Sequence, residues 1–135
     1  MILLDTDVLL DVALDRAPHA DASAGLLDLL ERRPRMAFVA WHTVSNFYYL
    51  VRPSRGPDRA RAFLADLAGF ASVAAAGTDD LRFALALPLA DLEDAMQVAA
   101  ARACGAQYIA TRNVRDFRDS PVPARTPAQL LEELG

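Results

Sequence analysis

Short apolar runs alternate along this chain with longer stretches in which apolar residues recur every three or four positions, a pattern that predicts strands laid between helices. Ile2, Leu3 and Leu4 run without interruption into Asp5, which predicts a buried strand whose carboxyl end opens into a helix carried by Val8, Leu9, Leu10, Val12 and Ala13. Residues 16–21 read as a connection. Ala24, Leu26, Leu27, Leu29 and Leu30 then mark a helix that ends near Arg32, Arg33 and Pro34. A second buried strand is expected over 36–41, followed by an aromatic-rich helix over 43–51. The Pro- and Gly-containing stretch 53–57 breaks that helix before another over 58–67. Residues 70–75 read as a third strand, and Thr78 starts a helix that stops before Pro88. Asp91 starts the next, with Gly105 as its left-handed terminus. A fourth strand over 107–111 leads into a polar, arginine-rich loop. Val122 and Ala124 suit only a short edge strand, because Pro123 lies between them, and 127–134 closes the chain as a helix.

Strands alternating with helices predict one α/β domain over 1–135, built on a mainly parallel central sheet with helices on its faces. The composition, 53% hydrophobic and 24% charged over 135 residues, is that of a globular domain. No basic lead precedes an apolar segment and no apolar run nears the ~20 residues of a membrane span, so a cytoplasmic protein with no membrane association is expected. The lone Cys104 reads as a small hydrophobe near a helix end. All 14 basic residues are arginine. A net charge of −4 argues against broad coating of nucleic acid, although local arginine clusters decide where a polyanion can approach.

Asp5 ends the first strand, Asp94 lies in the first turn of the Asp91 helix, and Asp116 follows the fourth strand. Open α/β sheets place their ligand sites beyond the carboxyl ends of the strands. Carboxylates gathered there repel one another, and a hard cation such as Mg²⁺ or Mn²⁺ relieves that repulsion while leaving waters free to attack a phosphodiester. Each acid also has a structural reading. Asp5 or Thr6 caps the first helix; Asp91 caps its own helix with Asp94 at the third position; and Glu93 complements the helix dipole. Arg52, Arg55, Arg59 and Arg61, with Arg112, Arg115 and Arg118, either line a path for phosphates or form a solvated face. Trp41, Phe47, Tyr48 and Tyr49 suit a core or a dimer surface better than base stacking, and neither His19 nor His42 has a partner at metal-ligand spacing.

Three segments in this order resemble the PIN-domain ribonucleases, and more narrowly the VapC-type toxins of toxin–antitoxin pairs: Asp5 to Asp11, Asp91 to Gln97 with Ala100, and Thr111 to Phe117. The resemblance spans nearly the whole chain. It implies a Rossmann-like sheet, Mg²⁺ or Mn²⁺, and endonucleolytic hydrolysis of RNA by an activated water. It further implies that Asp5 and Asp94 bind metal directly, that Asp116 is the late acid, and that Thr111 and Asn113 are polar supports beside Asp7. Asp91 and Glu93 support the same cluster, and Arg112 and Arg115 would face the RNA. A small cognate antitoxin protein and a homodimer also follow from the likeness. The chain departs from the pattern at Asn46, where a typical member carries a glutamate.

Two rival readings stand beside this one. The opening Asp5-Thr6-Asp7 also resembles the motif of haloacid-dehalogenase-type phosphatases, but those enzymes use a later lysine and this chain has none. A PIN-like module that only binds RNA or an antitoxin, having lost one acid, is the non-enzymatic alternative.

Overall fold

The computed structural model describes all residues, Met1–Gly135. Strands β1 (Ile2–Leu4), β2 (Ala37–Val39), β3 (Ala71–Val73), β4 (Tyr108–Ala110) and β5 (Ala124–Arg125) form one sheet in the order β3-β2-β1-β4-β5. Every pairing is parallel. The first strand of the chain therefore lies in the middle, and the strand order reverses direction at it. Such a reversal opens a crevice beyond the strand ends.

Alternation along β1 separates two cores. Ile2 and Leu4 face a larger cluster with Val8, Leu26, Leu30, Phe47 and Leu130, while Leu3 packs with Val98, Ala101, Ile109 and Phe117 on the other face. Helices α1 (Thr6–Ala13), α2 (Ala20–Glu31), α3 (Trp41–Arg55), α4 (Pro57–Ala68) and α7 (Pro127–Leu134) contribute to the larger core, and α5 (Thr78–Ala86) and α6 (Leu92–Ala103) close the opposite face. Both faces of β1 are sealed, which is why its sequence is an unbroken apolar run. Truncating any one of its leucines to alanine would cost about 2–5 kcal/mol.

Local chemistry sets the helix starts that matter for function. Asp5, in extended backbone, accepts a hydrogen bond from Thr6 N at 2.8 Å and begins α1 directly at the end of β1. Asp91 accepts from Asp94 N at 3.1 Å and begins α6. The expected strand over 36–41 is shorter, because Trp41 is already the first residue of α3 and stands 72% exposed. Helix α3 also runs through Pro53 to Arg55 instead of breaking there. Arg55 explains the extension: its Nε and Nη2 donate to the carbonyls of Ala13 and Leu14, at 3.3 and 3.2 Å, which holds the last turn in place against the carboxyl end of α1. The break comes instead at Gly56, with φ 88° and ψ 159°, a conformation open only to glycine, and Pro57 starts α4. Helix α2 begins at Ala20, earlier than the apolar spacing alone indicates. The loop after β4 contains a 3₁₀ turn over Val114–Phe117. Pro123 sits where a parallel edge tolerates it, offering its carbonyl to Ile109 N at 2.9 Å.

Candidate functional site

Beyond the carboxyl ends of β1 and β4 the chain builds a buried polar cluster round Asp5. The Asp5 side chain is 7% exposed, and each of its oxygens has donors. Oδ1 accepts from Thr6 N and from Gln97 Nε2 at 3.1 Å; Oδ2 accepts from Thr111 Oγ1 at 2.9 Å. Gln97 Nε2 also reaches Thr43 Oγ1 at 2.9 Å and Thr6 Oγ1 at 3.3 Å, and the two threonine hydroxyls lie 3.0 Å apart. Thr43 and Gln97 are wholly buried, so this network fixes the Asp5 carboxylate from below.

Asp7 stands at the rim. Its Oδ2 accepts from Asn113 Nδ2 at 2.9 Å and Thr111 Oγ1 at 3.2 Å, while its Oδ1 is buried without a hydrogen-bond partner. Asn113 N in turn donates to Thr111 Oγ1 at 3.1 Å. Asp94 enters from the first turn of α6. Asp116, in the 3₁₀ turn, lines a surface cleft together with Asp91, Asp94, Arg115 and Arg118.

Ionisation reflects this crowding. Burial first, then the charge of Asp7, pushes the Asp5 carboxyl up to about 7, against the opposing hydrogen bonds of Thr111 and Thr6. Asp94 is pushed up to about 6 by burial and by the neighbouring charges of Asp91, Asp116, Glu93 and Asp7. Asp7 is raised by burial, with Thr111 and Arg112 pulling it back. These three acids feel one another through a region that holds surplus negative charge.

The donor set suits a hard divalent cation: oxygen ligands only, mutual repulsion to be neutralised, and an unpartnered buried oxygen on Asp7. No three carboxylates converge on one ligand point, since Asp5 and Asp7 are turned toward Thr111, Gln97 and Asn113. Holding a cation would draw on Asp5, Asp7 Oδ1 and Asp94, with Asp116 behind them.

Other residues singled out in the sequence fall differently. Asp91 caps α6, and Glu93 lies exposed in the same first turn. Asn46 sits one turn beyond Thr43 on α3, half-buried, and makes no side-chain hydrogen bond. Arg112 does not face the acidic cleft: its Nε binds buried Asp11 at 2.8 Å, because an acid with no access to water requires a cation. Arg115 remains at the cleft, whereas Arg52 and Arg61 lie over the Tyr48 ring and Arg55 is spent on carbonyls of α1. Sequence reasoning missed Gln97 and Thr43 as parts of the site. For Gln97 the available signal was a polar residue one turn after Asp94 on an otherwise alanine-rich helix.

The PIN domain family model matches residues 1–115, and the chain belongs to that family. Its fold is shared by solved toxin–antitoxin structures. VapBC2 from Rickettsia felis, solved bound to a DNA fragment from their promoter, superposes with a TM-score of 0.72 at 16% identity, over 93% of this chain and 98% of the other. A toxin–antitoxin complex from Klebsiella pneumoniae gives 0.71 at 22% identity, over 94% and 98%. VapC20 of Mycobacterium tuberculosis, a sarcin-ricin loop cleaving toxin, gives 0.65 at 17%, over 81% and 87%. A sequence comparison with curated proteins finds no match. Family membership displaces the haloacid-dehalogenase reading, in keeping with the absence of lysine.

Proposed function

We propose that this chain is a divalent-metal-dependent endoribonuclease and the toxin of a toxin–antitoxin pair, acting in the cytoplasm. The observation that carries the reading is Asp5: a buried carboxylate at the crevice of a parallel sheet, held by Thr111 and Gln97 and crowded by Asp7 and Asp94. What Mg²⁺ or Mn²⁺ supplies at such a centre is charge neutralisation and Lewis acidity toward water and phosphate oxygens. The protein's own part is to orient Asp5 through Gln97, Thr6 and Thr111, to steady Asp7 through Asn113, and to bring Asp94 and Asp116 to the cleft. Arg115 and Arg118, on the rim of that cleft, suit the phosphates of an RNA strand.

The surface also offers a place for the antitoxin. A cleft between α1, α2 and α4 is floored by Val12, Leu27, Phe63 and Phe70 and rimmed by Asp28, Glu31 and Asp66, which fits a basic amphipathic segment. An arginine from that partner, reaching the acids round Asp5, would compete with the metal. Exposed apolar residues on α3 and α5 suit a homodimer.

Purified protein incubated with structured RNA in Mg²⁺, Mn²⁺ or chelator tests the reading. Cleavage should require the metal and should be lost in Asp5→Asn and Asp94→Asn. Cutting that survives chelator would sink the metal mechanism. A non-catalytic binding module is favoured by the neutral Asn46 and by the failure of the carboxylates to converge. RNA or antitoxin binding without any cleavage would select it.

A further inference from the structure

Asp11 is fully buried, and its one hydrogen bond comes from Arg112 Nε at 2.8 Å; Arg16 Nη1 lies 3.9 Å from the other oxygen, which has no hydrogen-bond partner. A buried ion pair contributes little net stability over a well-packed apolar pair, since desolvation offsets attraction. Its presence here has a geometric counterpart. Asp7 and Asp11 are four residues apart on α1 and so share a face. Arg112 lies between Thr111 and Asn113, the two residues that donate to Asp7. The segment leaving β4 is thus fastened to α1 at two levels, Asp7 to Thr111 and Asn113 above, Asp11 to Arg112 below.

We infer that Asp11 and Arg112 are positioning residues: their buried pair sets the register of the post-β4 segment on α1, and through it the placement of Thr111 and Asn113 on Asp5 and Asp7. The inference rests on the proposed metal-dependent nuclease only for its effects on metal binding and on RNA cleavage, and not for the exchange at Asn113. Arg112 on this account acts from beneath the acids and does not touch RNA.

The test replaces both charges at once, with Asp11→Leu and Arg112→Met combined, so that no buried charge is left alone. The double variant should melt at or above the wild-type temperature. Hydrogen exchange at the Asn113 amide, which is bonded to Thr111 Oγ1, should nevertheless accelerate at least tenfold, and the Mn²⁺ concentration for half-saturation in calorimetric titration should rise at least tenfold. KM for RNA and its salt dependence should stay at the wild-type values while kcat falls. Wild-type exchange at Asn113 would overturn the inference, as would a raised KM with a weaker salt dependence, which would put Arg112 on substrate phosphates. Should the double variant fail to fold, Asp11→Asn, which keeps the shape and weakens the pair, carries the same exchange measurement with an expected two- to fivefold acceleration; an unchanged rate overturns it. A wild-type protein that binds no Mn²⁺ would remove the proposed metal site, and exchange at Asn113 would still decide the role of the pair.

Discussion

Asp5 carries the sharpest consequence at the scale of single residues. Its carboxyl is raised from 3.8 to about 7 and that of Asp94 to about 6, so between about pH 4 and pH 7 the folded protein holds protons that the unfolded chain has released. Stability of the metal-free protein should therefore fall as pH rises through this window, the part due to these acids being fully present below the unfolded value and gone above the folded one. Asp5→Asn removes the larger contribution. It should stabilise the metal-free protein by about 1–3 kcal/mol at about pH 7.5 and flatten its pH slope, since Thr111 can give its proton to Asp7 instead. Urea titrations at several pH values, with and without Mn²⁺, check this; an unchanged slope in the variant would show that Asp5 is already ionised without strain. Asp5 was legible in the sequence because an apolar run ending on an acid has few other uses. The sequence left open whether it caps or serves the site; the geometry shows the cap, with one oxygen accepting Thr6 N, and shows the same carboxylate held by Gln97 and Thr111, which supports the proposed site. Gln97 was named only within a motif and not as a site residue: its one signal, a polar position a turn after Asp94 among alanines, does not say that its amide points at a carboxylate.

Helix α3 shows the same contrast for whole elements. Its existence followed from the pattern, but its length did not, because the contact that keeps its last turn helical past Pro53 is made by Arg55 to the end of α1, residues far apart in the chain. Its first turn brings Thr43 into the Asp5 network and leaves Asn46 one turn further along, without a partner. If Asn46 borders the site, as the family resemblance implies, an acid there would add charge to it. Replacing a neutral amide by a carboxylate about 4 Å from a cation is worth roughly 1–4 kcal/mol per unit of cation charge before desolvation and repulsion are subtracted. Asn46→Glu should therefore lower the half-saturating Mn²⁺ concentration by about tenfold in isothermal titration. Equal affinities would place Asn46 outside the metal's reach and leave α3 with Thr43 as its sole contribution.

Across the whole molecule, the parallel sheet with helices on both faces was readable from the alternation of patterns, whereas which of the aromatic residues are core and which surface was not. Trp41 was expected in a strand and instead stands 72% exposed, with Tyr49 at 61%, Leu81 at 48% and Leu85 at 63% on the same two helices. Trp41 and Leu81 line one groove, so these two at least are not scattered singly. Burying them against a second copy is the expected use. Sedimentation equilibrium should report a dimer for the wild type and a monomer for Trp41→Arg combined with Leu85→Asp, both folded by circular dichroism. A wild type that is monomeric at high concentration would leave this face for another partner. No helix is long and apolar enough to cross a membrane.

The central place of β1 also governs when the site comes into being. Ile2 pairs with Tyr108, and apart from the neighbouring Thr6 N the donors that hold Asp5 come from Gln97 and Thr111, 92 and 106 residues further along. Synthesis delivers the amino end first, and contacts of such long range close late. A growing chain thus carries Asp5 and Asp7 before Gln97, Thr111 and Asn113 exist to seat them. The growing polypeptide therefore carries the acids without the groups that seat them until α6 and β4 have been made.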